Sequence, residues 1–200
     1  MRFTAQLVSA ALHPLCMPLL TLGLLLEVDG YLIHRLGLFA YLFVLLFINT
    51  LAPAISLWVL KKRGVISDWD IRSRRERPLP FLIVLGHYSM AYVLVCGGTS
   101  VEVPFFYRQV LLALAVAIGA AWLVTWKAKI SMHMLAQGGI LAVYVNVAMQ
   151  DGSWNLNWVT ALLLAAGAVG WSRLQLEAHT PRQVYAGYVL GWLSVSLTLF

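Results

Sequence analysis

The sequence predicts an all-α fold, a polytopic transmembrane helical bundle of about six to seven spans. Three observations predict it. Hydrophobic residues make up 61% of the 200-residue chain and charged residues only 11%, whereas a soluble domain devotes about 25% to charge. The few charges fall in short clusters between long apolar stretches, so no continuous polar surface is available to face water. The apolar stretches run unbroken instead of alternating, which suits helices and not barrel strands. Without water in the hydrocarbon core, a helix is the element that satisfies its own backbone.

A hydrocarbon core about 30 Å thick needs roughly 20 helical residues per crossing. On that ruler the candidate spans are 7–26, 37–60, 79–97, 107–126, 130–149, 156–172 and 183–200. The first contains His13-Pro14 and Pro18, which predict a kink or a late helix start. It lacks a small-residue cleavage site, so it reads as a retained span and not a signal-peptide core. The sixth and seventh are the shortest. Cys16 and Cys96 lie inside apolar stretches and read as buried small hydrophobes. No repeat, linker or low-complexity tract divides the chain, so residues 1–200 form one membrane domain.

Seven spans put twelve of the fourteen Lys and Arg residues on one side, leaving Arg35 and Arg108 on the other. The positive-inside rule makes the basic side cytoplasmic. The net charge of +6 is then a topological signal that also favours anionic lipid head groups. It does not call for nucleic acid.

Three polar clusters share the basic side. The first runs from Ser67-Asp68-Trp69-Asp70 through Arg72, Arg74, Arg75 and Glu76 to Arg77-Pro78, before the third span. The second, Trp126-Lys127-Ala128-Lys129-Ile130-Ser131-Met132-His133, leads into the fifth. The third is Ser172-Arg173, then His179-Thr180-Pro181-Arg182-Gln183 at the start of the seventh. Lys61, Lys62 and Arg63 read as an ordinary cytoplasmic flank. His133 lies about one turn inside an apolar span, where an ionisable group is costly. Two histidines, two serines and several cations on one membrane face make an anion site with acid-base capacity. Guanidinium groups pair with phosphate oxygens in a bidentate way. One neutral imidazole can attack phosphorus while another protonates the departing alkoxide. Ser131 and His133 open a helix, whose N-terminal dipole also favours an anion.

These residues resemble the type 2 phosphatidic acid phosphatase superfamily, over about residues 61–191. The third family signature is matched by Ser172-Arg173, five residues and His179. The second survives as Ser131-Met132-His133 and the first as Arg77-Pro78. Lys-Ile-Ser-x-His followed by Gly138-Gly139, and Ala178-His179-Thr180-Pro181 with Gln183-Val184, resemble a divergent bacterial branch. The resemblance implies a phosphatase needing neither metal nor cofactor, in a bacterial inner membrane. It implies His179 as the nucleophile that forms a phosphohistidine and His133 as the general acid. Arg77, Arg173 and Ser131 would bind phosphate, with Lys127 and Lys129 adding positive charge. Three positions depart from the pattern. Asp70 stands where the first signature has Lys, Met132 where the second has Gly, and Gln183 where the third has the Asp that orients the nucleophile. Gln183, Glu177 and Asp70 are the candidates for that orienting role, and Arg72, Arg74 or Lys127 for replacing the Lys.

The leading expectation is an integral membrane phosphatase of a polyprenyl or glycerolipid phosphate or diphosphate. A non-catalytic lipid-phosphate binder or transporter on the same scaffold is the alternative. A prenyltransferase, suggested by Asp68, Asp70 and Arg77-Pro78-Leu79, would need a second acidic cluster on the basic side. Asp29, Glu102 and Asp151 are expected on the opposite one. The sequence leaves the oligomeric state open.

Overall fold

A computed structural model describes residues 1–98 and 101–200, without the side chains of Gly30, Ile33 and Asp151. Asp151, expected opposite the basic side, therefore has a side chain outside the described residues. Every regular element among the described residues is helical. The α-helices are α1 (Arg2–Ala11), α2 (Met17–Val28), the single turn α3 (Gly30–Ile33), α4 (Leu36–Lys62), α5 (Pro78–Cys96), α6 (Phe105–Thr125), α7 (Met132–Asp151), α8 (Leu156–Gln175) and α9 (Pro181–Leu199).

Local chemistry places the boundaries. The first predicted span is divided into α1 and α2 at His13-Pro14, where proline cannot donate to the preceding turn. Pro78 and Pro181 each occupy a first helical turn, where the missing N–H costs nothing. Thr180 and Gln183 form a capping box that starts α9. Gly152 ends α7 in the left-handed conformation, at φ 66°.

Among the described residues, five helical segments are long and apolar enough to cross a membrane: Arg2–Val28 (α1, a short turn and α2 together), α4, α5 with the turn before it, α6 and α7. The expected sixth and seventh spans exist as α8 and α9 but fall outside this group. Polar residues such as Asn157, Ser172, Arg173 and Gln183 dilute their apolar character. The outer faces of α4 and α5 carry exposed Phe43, Phe47, Ile55, Leu82, Met90 and Val93, the pattern of helices solvated by hydrocarbon. For the same reason apolar sequence does not guarantee burial here. Cys16 is half-buried and Cys96 exposed, correcting the expectation that both are buried.

The most apolar window of α7 is 67% buried, against 33% for α4 and α5, so α7 is the central helix. Its principal partner is α9. A Cβ at Gly138 would collide with the Tyr188 carbonyl, one at Gly187 with that of Ser131, and one at Gly191 with that of Leu135. Small residues bring helix backbones together where lipid supplies no hydrophobic drive between them. Polar contacts tie each end of the bundle. Trp122 Nε1 donates to the Pro78 carbonyl at 3.1 Å and Arg74 to that of Trp126 at 2.7 Å. At the other end the Tyr107 hydroxyl bonds to Asp29, and the Tyr144 hydroxyl to the backbone of Asn155.

Candidate functional site

The three polar clusters meet at one end of the bundle, joined by residues of the N-terminal segment. They surround a cleft with about 710 Å³ of atom-free space, the open solvent at its mouth included, whose polar lining includes His13, Asp70, Arg77, His133, Arg173 and His179. Arg77 and Arg173 are only 2% and 1% exposed, which separates them from a solvated basic flank. Arg77 precedes α5 and donates from Nε to the Ile71 carbonyl at 2.9 Å and from Nη1 to that of Ile130 at 2.7 Å. Arg173 lies in the last turn of α8, where the helix dipole favours a cation. Its Nη1 donates to the Ser9 hydroxyl at 2.6 Å and its Nη2 to Asp70 at 2.7 Å, while buried Nε has no protein partner.

His179 sits in the turn between α8 and α9. Gln183 Oε1 accepts from the Thr180 N–H at 3.4 Å and lies 3.0 Å from His179 Nδ1. One oxygen cannot donate, so Nδ1 carries the proton and Nε2 keeps its lone pair. Burial pushes the imidazole pKa down to about 3, and the nearby cations Arg77, Lys129 and Arg173 add to the fall; the Gln183 bond opposes it without offsetting it. His179 is therefore neutral at pH 7.

His133 is in the first turn of α7. Its Nε2 lies 3.1 Å from both the hydroxyl and the carbonyl of Ser9. A carbonyl only accepts, so Nε2 is protonated toward Ser9. The His13 ring meets the His133 ring edge-on at 5.2 Å. His13 Nδ1 accepts from the Leu15 N–H at 3.3 Å, capping the turn after α1, so its proton is on Nε2. The sequence leaves Ser9 undistinguished and marks His13 as part of a kink near the basic side, within reach of the site.

The remaining expected residues are placed differently. Ser131 is fully buried; its hydroxyl accepts from the Met134 N–H at 3.4 Å as the cap of α7, away from the cleft. Lys129 donates to the Ala178 carbonyl at 2.9 Å, fastening the loop that carries His179. Burial, then the neighbouring Arg77 and Arg72, lower its pKa. Lys127 is exposed and does not line the cleft. Glu177 is also exposed and pairs with Arg2 at 3.4 Å, which corrects its candidacy as the orienting group. Asp70 does not orient His179 either, because its carboxylate is engaged by Arg173, with Arg72 at 3.8 Å. Burial opposes that charge, but the guanidinium of Arg173 outweighs it and holds Asp70 below the usual carboxylate range.

Two backbone outliers flank these groups. Ile71 follows Asp70 at φ 45°, and Glu177 lies two residues before His179 at φ 51°. A β-branched residue in the left-handed region is strained, and such strain concentrates at functional sites. Among the described residues, no three or more His, Cys, Asp or Glu side chains come together to hold a metal.

No protein family, curated protein or solved structure matches the chain. The residues of the cleft carry its chemistry. What they offer is a neutral imidazole with a free Nε2, a second imidazole with a held proton, and two buried guanidinium groups in one partly apolar cavity.

Proposed function

We propose that the chain is an integral membrane phosphatase of a lipid phosphate, acting through a phosphohistidine on His179. The observation that carries the reading is the convergence of His179, His133, Arg77 and Arg173, from three separate segments, on one cleft at the bundle end. Residues as costly to bury as two arginines need a ligand or partner of matching charge.

In this reading Nε2 of His179 attacks phosphorus and the bond to the lipid oxygen breaks. The proton on His133 goes to that oxygen, releasing a lipid alcohol. Water then attacks phosphorus and gives its proton back to His133, the phosphorus–nitrogen bond breaks, and inorganic phosphate leaves with both His179 and His133 restored. Gln183 holds Nδ1–H throughout and so presents Nε2. Arg77 and Arg173 neutralise the phosphoryl oxygens, with the unpartnered Nε of Arg173 as a ready donor. Phe81, Val84 and Ile118 in the same cleft would face the hydrocarbon next to the head group. Here α8 and α9 join the five apolar segments as further crossings, making seven. The site then faces the cytoplasm, because twelve of fourteen Lys and Arg residues share its end. A bacterial inner membrane is the setting that fits the resemblance.

The Asp70–Arg173 ion pair favours a second reading, a lipid-phosphate binder or transporter in which a carboxylate guards the anion site without turnover. Phosphate release by the purified protein from a panel of lipid phosphates, with a chelator present, separates the two. The phosphatase reading expects release that falls at least about 100-fold in both His179→Ala and His133→Ala, the scale of one acid-base group. Release untouched by losing His179 would sink the assignment, and tight binding without release would favour the binder.

A further inference from the structure

Among the histidines that line the cleft, His13 is the one to which the phosphatase reading gives no task. Its ring is nonetheless firmly placed. His13 Nδ1 accepts from the Leu15 N–H at 3.3 Å, and the Cys16 N–H donates to the His13 carbonyl at 2.9 Å. From α4 the Thr50 hydroxyl donates to the Leu15 carbonyl at 3.0 Å, so the turn is held from outside as well. Pro14 stiffens it further by fixing its own φ.

Capping this turn does not call for a histidine, since Asn, Asp, Ser and Thr serve such a position better. The cap uses Nδ1 alone, and it is the ring's one hydrogen bond among the described residues. The proton is left on Nε2, at the opposite edge of a ring that lines the cleft. Neighbouring donors are less free. Arg77 commits Nε and Nη1 to backbone carbonyls, Arg173 commits Nη1 and Nη2 to Ser9 and Asp70, and His133 holds its proton toward Ser9. A phosphoryl group in transfer spreads its charge over three equatorial oxygens. Donors fixed there in advance stabilise it most. The His13 ring stands edge-on to His133 at 5.2 Å, so a phosphate whose leaving oxygen meets His133 has its other oxygens within reach of His13.

We infer that His13 is a further catalytic residue, whose Nε2–H donates a hydrogen bond to a non-bridging oxygen of the transferring phosphoryl group. This rests on the phosphatase reading. No bond to hydrogen is made or broken at His13: its proton stays on Nε2, and the transfers belong to His133 and His179. The turn between α1 and α2 thereby joins the three polar clusters in building the site.

Two substitutions separate the donor from the cap. In His13→Asn the amide oxygen still caps the Leu15 N–H, but the side chain is too short to place a donor where Nε2 stood. In His13→Gln the longer amide reaches that place and caps less well. Full-length protein in detergent is assayed for phosphate release from phosphatidate and farnesyl phosphate, and for its apparent melting temperature. His13→Asn is expected to melt close to wild type with kcat lowered about 100-fold, the scale of one oxyanion donor, while KM changes by less than about threefold. His13→Gln is expected to melt lower than His13→Asn and yet turn over faster. Rates that follow stability, with the Asn variant the faster, overturn the inference, as does a kcat for His13→Asn within about threefold of wild type. If wild type releases phosphate from neither lipid, the phosphatase reading fails separately. Binding of orthovanadate, a mimic of the phosphoryl group in transfer, then decides the role of His13. Binding weaker by about tenfold or more in His13→Asn supports the donor, and equal affinity in the two proteins overturns it.

Discussion

The backbone N–H of Ser131 donates to the carbonyl of Gln183 at 3.1 Å, joining the start of α7 to the first turn of α9. Ser131 caps the helix that presents His133, and Gln183 holds the ring of His179. One backbone bond therefore couples the two imidazoles. It can form because Gly187, one turn further along α9, lets the Ser131 backbone lie against it. The principal helix contact of the bundle, α7 against α9, and the candidate catalytic pair are one construction.

A methyl group at Gly187 should break that construction. Its Cβ would collide with the Ser131 carbonyl, a backbone atom that cannot rotate away. Gly187→Ala is expected to lower stability by about 1–3 kcal/mol, the usual cost of overpacking, and to abolish phosphate release. Gly167→Ala, where a Cβ meets nothing within 4 Å, serves as the control. Apparent melting temperatures in detergent read the difference, and equal values for the two variants would contradict it.

Gln183 joins the capping box of α9 to the tautomer of His179. Gln183→Ala should cost about 1 kcal/mol of stability through the cap. It should also lower kcat by about 100-fold or more, because Nε2 is no longer kept free of the proton. Gln183→Asp accepts the same Nδ1–H with a charge that stabilises the phosphorylated ring, so it should equal or exceed wild type. Steady-state kinetics of the two variants check this, and equal loss in both would reduce Gln183 to a cap.

Acidity should act through His179. Its pKa is lowered by burial from 6.5 to about 3. Between about pH 3 and 6.5 the unfolded chain binds more protons than the folded one, so stability rises with pH across that window. The apparent melting temperature of wild type should climb from pH 4 to 6.5 more steeply than that of His179→Gln. The kcat/KM profile should show no inflection near 6.5 that belongs to this residue. Parallel melting curves would refute the buried neutral state.

Asp70 competes with anions for Arg173, to which it is bound at 2.7 Å. Asp70→Asn keeps an acceptor but removes the charge. Inorganic phosphate should then inhibit or bind about tenfold more tightly, one pKa unit's worth of interaction. Weaker phosphate binding in this variant would show that Asp70 organises the site instead of guarding it.

Much of this molecule is legible in order along the chain. Long apolar runs separated by charge clusters require membrane helices, since unpaired backbone has no partner in hydrocarbon. Counting those runs puts Arg77, His133, Arg173 and His179 on one side, and all four line one cleft. Other features depend on which side chains reach which neighbours. Glu177 and Gln183 are both plausible partners for His179 by spacing; the left-handed turn at Glu177 leaves its carboxylate exposed beside Arg2, and the capping box brings Gln183 to the ring. Ser131 looks like a phosphate ligand until its hydroxyl is seen to cap α7. Ser9 carries no mark in the sequence and His13 stands out there as part of a kink near the basic side, yet packing of α1 against α8 brings Ser9 to Arg173 and His133. By itself the sequence determined that the chain is helical, that its apolar segments suit a membrane, and that its ionisable residues gather toward one end. These follow from local composition, because each helix satisfies its own backbone and each charge avoids hydrocarbon independently of its neighbours. Only the tertiary structure decided which cation meets which carboxylate, which imidazole nitrogen is free and where the cavities lie. Those depend on helix rotation and on close contacts at Gly138, Gly187 and Gly191, a matter of packing among residues far apart in the chain.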